Sequence, residues 1–442
     1  MTGEVAGGGG NPIIPNRGVN DPHIHVFGDK AYLYASHDAS PQKEGFVMRD
    51  WHVWSSRDLV YWTHCSTLHP ADTFLGDRPN FVSAWATDAS EKDGRYYWYF
   101  SDGDRQIGVV TGESACGPWS DPLGRPLIAA GTTPTMAYDP AVFAQGDERY
   151  LVFGCWNYHI AKLGDDMISL AEEPRELVIR NAEGPYTFAA DSPLAGKLTD
   201  DKAFLHKRGN VYYLSWGVYY ATSRDLYGPY DYRGVIVGET SFPTGLDTPT
   251  WPLGPCQGRH GSFFDWHGQS YFAFCDISQT GNRYFRDTFV SYVHYRRDGT
   301  IAPIRVDRIG VGNYDAASGP IDAGDFFSLQ NADKQEREGF PDRFVVVPSG
   351  TREARACYPH VRGLAHCTEM ALAVVAEGGS EGEIEVLGGD ECRLLGRRQV
   401  SFDADGTEQV TFEIGPLGSE ETITISWRCS RGRVMLERFW FR

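Results

Sequence analysis

Five polar residues open five similar stretches of this chain, and four of them are carboxylates: Asp21, Asp88, Asp139 and Asp201, with His260 as the fifth. Carboxyl groups brought together repel when ionised, which spreads their pKa values and lets one keep a proton while another is an anion. Cleavage of a glycosidic bond uses that division of labour, one carboxyl protonating the leaving oxygen and another activating a water. Taken singly, Asp21-Pro22 and Asp139-Pro140 read as turn starters whose side chains bond nearby amides. As a matched pair at equivalent repeat positions they read as part of a site. Asp88, set in WATDA without a proline, reads as structural or sugar-binding.

The elements that must position these residues are hairpins. In DPHIHVFGDKAYLYAS (21 to 36), alternating residues from His23 to Phe27 lead through a Gly-Asp turn into a second strand. The layout returns as TDASEKDGRYYWYFS (87 to 101), DPAVFAQGDERYLVFG (139 to 154), DKAFLHKRGNVYYLSWG (201 to 217) and HGSFFDWHGQSYFAFCD (260 to 276). The spacing, roughly fifty to seventy residues, is that of a four-stranded blade with its loops. Between copies, SSRDLVYWT, ESACGPWSD and TSRDLYGPYDY fit outer strands. Sheets of this size bury both faces only against their neighbours, so the repeat predicts an all-β, five-bladed β-propeller over residues 1–318. The first residues of the innermost strands then form a ring at the mouth of the central channel. After Gly319 short alternating runs such as RFVVV, MALAVVA, QVTFEI and TITISW predict a β-sandwich over 319–442.

Composition narrows the partners. A formal charge of -18 would repel phosphate backbones and anionic lipid, so a neutral substrate fits better than nucleic acid or a membrane surface. The opening MTGEVAGGGGNPIIP lacks the basic flank and apolar core of a secretory signal, and no run is apolar for long enough to span a bilayer. Nine scattered cysteines without a CxxC pair signal neither a disulfide framework nor a zinc site, and a cytoplasmic protein is expected. Nothing in the sequence speaks to oligomeric state.

Asn20-Asp21-Pro22, SSRDLVYW, Tyr138-Asp139-Pro140, LHKRGNVYYLSWG, the RHGSFF around His260 and YVHYRRDGTI (292 to 301) together resemble glycoside hydrolase family 43, from about residue 11 to about 318. That resemblance implies an inverting, exo-acting hydrolase removing α-L-arabinofuranosyl or β-D-xylosyl residues from oligosaccharides, with a β-galactofuranosidase or other furanosidase as the alternative. Asp21 matches the base that activates water, and Asp139 the carboxylate that orients the acid and raises its pKa. The family's acid is a Glu before Gly-Pro or Ala-Pro. Here alignment on Lys207 and Tyr212-Tyr213-Leu214 puts Asp201 in its place, with Asp200 and Glu183, the latter in a literal Glu-Gly-Pro eighteen residues upstream, as rivals. A carboxyl one methylene short leaves a third outcome, a propeller that binds sugar without cutting it.

The same resemblance gives His260 a place on the axis. It requires no cofactor but leaves room for a calcium or sodium ion, mostly water-ligated, in the channel nearby. Arg283 or Arg286 matches an arginine that reaches sugar hydroxyls and the acid. Of Trp85, Trp156, Trp216 and Trp251, the best sugar platforms are Trp85 and Trp216. The YDAASGPIDAGDFF junction resembles the link to a sandwich like carbohydrate-binding module family 6, whose binding face would need exposed aromatics; Tyr358 and Trp427 are the aromatics considered for it.

Overall fold

The computed structural model describes residues 4–187, 189–192, 195–196, 198–243, 251, 253–389 and 392–442. It divides into two compact units: Met1–Phe264, Phe272–Val290 and Arg305–Asp307 form the first, and Asp265–Tyr271, Ser291–Ile304 and Arg308–Arg442 the second.

The first unit is built from the repeated hairpins. Val19–Phe27 pairs with Lys30–Asp38 and continues outward through Met48–Ser56 and Tyr61–Leu68. Ala84–Lys92 leads a second sheet, Ala141–Gln145 a third, Ala203–Arg208 a fourth, and Gly261–Trp266 a three-stranded fifth with Gln269–Asp276 and Asp287–Val293. Neighbouring sheets share apolar cores. Trp51, Trp98 and Phe100 are wholly buried in the first of these, Leu151 and Phe153 in the next, and Leu214 and Trp216 in the third. The N-terminal segment ties the first sheet to the last, with Asn11 Nδ2 donating to Val290 O at 3.0 Å and Thr288 Oγ1 to Val19 O at 2.7 Å. The architecture is a five-bladed β-propeller, as the repeat predicts, carried with a C-terminal β-sandwich.

Every inner hairpin turns on two residues, and counting back seven from the first of them reaches Asp21, Ala86, Asp139, Lys202 and His260. The expected ring is therefore corrected at two places: Ala86 rather than Asp88, and Lys202 rather than Asp201. Pairing agrees, because the first strand bulges between Asn20 and His23 and the second between Trp85 and Thr87. Asp21, Asp139 and Lys202 also share a left-handed backbone, with φ of 49°, 55° and 54°. The bulge and the left-handed residue re-aim side chains at the strand start, where a regular strand would point them at a neighbouring sheet.

Gly261, which follows His260, shows how tightly this rim is packed. A Cβ there would lie 1.7 Å from Ala273 O and 2.8 Å from Phe274 Cα, both backbone atoms of the paired strand. Gly261→Ala is expected to lower stability by about 3 kcal/mol or more, through forced separation of the fifth hairpin. Its urea midpoint measures this, with Gly45→Ala as a control, since a Cβ there meets nothing within 4 Å and needs no left-handed backbone.

In the second unit one six-stranded sheet contains Ala354–Arg362, Glu420–Arg431, Ser380–Gly388 and Arg393–Phe402, and another contains Phe344–Pro348, Val434–Phe441, Glu369–Ala376 and Gly406–Glu413. Their inner faces enclose one core that includes Leu372, Phe439, Tyr358 and Trp427. Tyr358 donates its hydroxyl to Ala323 O at 2.9 Å and Trp427 its indole N–H to Val434 O at 3.1 Å. Both aromatics are core, so neither offers a face to sugar. Among the described residues no helix is long and apolar enough to cross a membrane.

Candidate active site

Asp21 sits at the bulge and is almost wholly buried. Its Oδ2 accepts from Ser36 Oγ at 2.5 Å and from Arg286 Nη2 at 3.2 Å; its Oδ1 accepts from Arg286 Nη1 at 3.0 Å and lies 2.6 Å from His260 Nε2. Burial alone would raise this carboxyl. Arg286, then His260 and Lys202, outweigh burial and hold it well below the usual carboxylate range. The surroundings of Asp21 thus favour its anion.

Arg286 is fixed by a second carboxylate that the sequence reading did not single out. Asp38, at the far end of the strand paired with that of Asp21, accepts from Arg286 N at 2.8 Å, Nε at 3.1 Å and Nη2 at 3.1 Å. The guanidinium thus forks onto two carboxylates at once, the geometry for which arginine is suited and lysine is not. Phe46 lies over it, 4.9 Å from ring centroid to Cζ, and is itself partly exposed beside Tyr284. Of the two arginines weighed, Arg283 is exposed and rests on Tyr284, while Arg286 is the buried partner of Asp21.

His260 joins Asp21 to Asp201. Its Nε2 faces Asp21, and its Nδ1 lies 3.0 Å from Asp201 Oδ1. Burial disfavours the imidazolium, but the charge of Asp201 more than compensates and raises His260 well above its ordinary value. In return the imidazolium, working against burial, pulls Asp201 down. The Asp201 side chain is 33% exposed, against 6% for Asp21, so of the two it is the one open to a ligand.

Asp139 is buried at the third strand start. Its backbone N–H donates to Ser101 Oγ at 3.0 Å, and its Oδ2 accepts from Lys202 N at 2.9 Å. It therefore grips the amide that follows Asp201, which makes it an orienting group for that residue. Burial and then the nearby charge of Asp201 push it well above the usual range. Asp200 is buried as well; its Oδ1 accepts from Asp201 N at 2.9 Å, and burial and the Asp201 charge push it up to about 7.

The remaining candidates separate. Asp88 accepts from Ala89 N at 2.7 Å and Val142 N at 2.6 Å and faces His23 and His25, each 2.5 Å away, a structural clamp between strands. Glu183 is exposed, its carbonyl accepting from Trp216 Nε1 at 2.8 Å and its side chain bonding Tyr232, outer features of the fourth sheet. Trp216 is fully buried in the core between the third and fourth sheets, so its expected role as a platform is corrected: no face of it is free. Trp85 is half-buried, edge-on to Tyr138 at 5.8 Å, next to Asp139. Trp156 lines a cleft of about 410 Å³ with Leu198 and Thr199, beside Asp200. Trp251 is core, packed with Cys275 and Ile277.

The fit of a channel cation can be tested on these atoms. Asp21, His260 and Cys275 lie close enough together to share an ion. Calcium takes six to eight oxygen ligands. Here the set offers one carboxylate already forked to Arg286, an imidazole engaged at both nitrogens, and a thiol. These three side chains alone do not supply the oxygen shell that calcium takes.

An ionised carboxylate and a more exposed partner spaced by an imidazolium are equipment for hydrolysing a glycosidic bond, and the class of protein is a glycoside hydrolase on a five-bladed propeller. Within that class the chain belongs to glycosyl hydrolases family 43, whose sequence model matches residues 10–301. It is 27% identical over 342 residues to a xylosidase/arabinosidase of Bacteroides ovatus, covering 66% of this chain and 96% of that one. To xylosidase/arabinosidase 43A of Humicola insolens it is 29% identical over 346 residues, covering 66% and 98%. A β-D-galactofuranosidase of Aspergillus niger is 27% identical over 332 residues, covering 68% and 86%. Among solved structures, a β-xylosidase/α-arabinofuranosidase from a compost metagenome, in complex with xylotriose, superposes with a TM-score of 0.54 at 27% identity over 68% of this chain and 99% of its own. An arabinoxylan arabinofuranohydrolase of Bacillus subtilis shares the fold across 98% of this chain and 97% of its own, with a TM-score of 0.56 at 20% identity.

Proposed function

We propose that this protein is an inverting, exo-acting glycoside hydrolase that removes α-L-arabinofuranosyl or β-D-xylosyl residues from oligosaccharides. The observation that carries the mechanism is the His260 bridge, with ionised Asp21 on one nitrogen and the more exposed Asp201 on the other. Asp21 takes the proton of the attacking water. Asp201 protonates the leaving oxygen from the opposite side, entering the step in the protonated form that the charge of Asp21 favours and that of His260 opposes, and Asp139 holds the Asp201 backbone through Lys202 N–H. An imidazole between the two carboxyls keeps them apart, in the sense that inversion needs, where roughly 6.5–9.5 Å accommodates the water. Relatives named xylosidase/arabinosidase and arabinoxylan arabinofuranohydrolase support the sugar class. The galactofuranosidase relative keeps hexofuranosides in the panel. A screen of aryl furanosides and pyranosides, with the first-formed anomer read by NMR, tests the reading; a retained anomer, or no turnover above that of Asp21→Asn, overturns it.

A second reading of the donor rests on one observation: Asp200, at about 7, is the neighbour that keeps its proton near neutrality. Leaving-group dependence separates the two. With Asp201 as donor, Asp201→Asn is expected to lose about 10²-fold on substrates with poor leaving groups, and far less on dinitrophenyl glycosides, which need no protonation. If Asp200→Asn shows that pattern instead, Asp200 is the donor and the alkaline limb of the rate profile falls near pH 7.

A further inference from the structure

The residue with the most unusual setting in the first unit is Lys202. It occupies the strand-start position that carries Asp21 and Asp139 in two other blades, with the same left-handed backbone. It is 1% exposed, and its Nζ has no hydrogen-bond partner among the described residues. A buried ammonium without a partner is expensive unless nearby charge compensates it. Its backbone N–H donates to Asp139 Oδ2 at 2.9 Å, and its charge acts on Asp21, Asp139 and His23 from beyond ion-pair distance. The three side chains grouped nearby, Asp21, His260 and Cys275, do not by themselves supply the oxygen shell that calcium takes.

We propose that the Lys202 ammonium is the resident cation of the propeller channel, the internal counter-ion of Asp21 and Asp139, and that it stands in for a metal there. This deepens the hydrolase reading and makes Lys202 a positioning residue. It touches no substrate; it holds the base ionised and moderates the orienting carboxyl. Asp21 also has Arg286 and His260 as cationic neighbours, with Asp38 and Asp201 behind them, whereas for Asp139 the larger cationic influence set against Asp201 is Lys202 and the smaller is His260. Asp139 is therefore the group most dependent on the lysine. His23, backed by Asp88, is driven down to about 4 by burial and stays neutral, adding no competing charge.

The test is the melting temperature of the full chain from pH 5 to pH 8, with calcium chloride, with sodium chloride against a potassium salt, and with EDTA. The wild-type value is expected to move by less than about 1 °C with any of these, since an ion that binds only the folded state would raise it by several degrees. Lys202→Met keeps the bulk and removes the charge. Without Lys202 the folded-state pKa of Asp139, already raised, rises further, so that part of the loss grows as pH rises through it. The part that comes from Asp21, held low by Arg286 and His260, is the same at pH 5 and pH 8. The variant is expected to melt several degrees below wild type at pH 8 and to lose distinctly less at pH 5. Adding Asp139→Asn, which removes one buried charge of each sign, is expected to restore at least half of that loss. A loss independent of pH would mean that Lys202 only fills space and would overturn the proposal, as would a wild-type melting point raised by calcium or sodium. If Lys202→Met alone does not fold, recovery in the double variant supports the proposal and failure to recover sinks it. None of these readouts uses turnover, so they stand even if every glycoside in the panel is inert, the result that would instead defeat the hydrolase reading.

Discussion

Asp21→Asn is expected to lower kcat by about 10⁴-fold on every substrate the enzyme accepts, whatever the leaving group. The amide cannot take a proton from water, and the position offers no substitute: Asp38 is committed to Arg286 by three hydrogen bonds, and Asp139 is held by the Lys202 amide. The independence from leaving group distinguishes loss of the base from loss of Asp201. A structural penalty accompanies it. Arg286 loses half its anionic partners, and one Asn orientation turns an NH₂ toward the guanidinium or toward His260. Kinetics are therefore read at a temperature where circular dichroism shows the variant folded. A residual rate within tenfold of wild type would remove Asp21 from the role of base.

How far the chain could be read before folding depended on what kind of signal each residue left. Five hairpins with two-residue turns are a local pattern, and they predicted five sheets because turn chemistry and alternation act within a dozen residues. The ring was read less well, because it depends on register. Turns made of Gly-Asp, Asp-Gly or His-Gly look alike when aligned on glycine, yet the first turn residue, not the glycine, sets the count to the strand start. Counting from it brings Ala86 and Lys202 into the ring and moves Asp88 two residues on, into a clamp with His23 and His25. A lysine in that place carries no signature of catalysis, and the carboxylate beside it does.

Asp38 was missed for a related reason. It lies in no motif, and its importance comes from standing at the end of the second strand, opposite a buried arginine 248 residues away. Trp216 was overvalued because indole counts do not say which strand ends face the mouth and which face the neighbouring sheet. Its N–H is spent on Glu183 O, inside a core. Phe46, in a loop without periodicity, covers Arg286 and was likewise invisible. Asp21, Asp139 and His260, by contrast, were legible because a repeat supplies its own internal comparison, and Arg286, paired with Arg283 as an alternative, came from the family resemblance.

Arg286→Met is expected to have the largest effect on stability of any single change at the site, about 3–5 kcal/mol at pH 7 to 8, because it strands two buried carboxylates at once. The sign with pH follows from what the guanidinium does to each. Asp21 is held far below its unfolded value, so it contributes stability that is present above the unfolded pKa and lost only as pH falls through the much lower folded one. Asp38, where burial exceeds the pull of Arg286, is already raised and resists ionisation. Without Arg286 both folded-state values climb. The loss relative to wild type should therefore be greatest near pH 8 and shrink on acidification toward pH 4, where both carboxyls protonate and no longer need a partner. The acid limb of kcat/KM moves to higher pH in the same variant, since the base now holds its proton further up the scale. Arg286→Lys recovers less than half of the lost stability: one ammonium cannot reproduce four N–H contacts forked onto Asp21 and Asp38. Urea midpoints at pH 4, 6 and 8 decide the matter. A penalty of equal size at all three would mean that Arg286 acts by packing against Phe46 and Met48 rather than by charge.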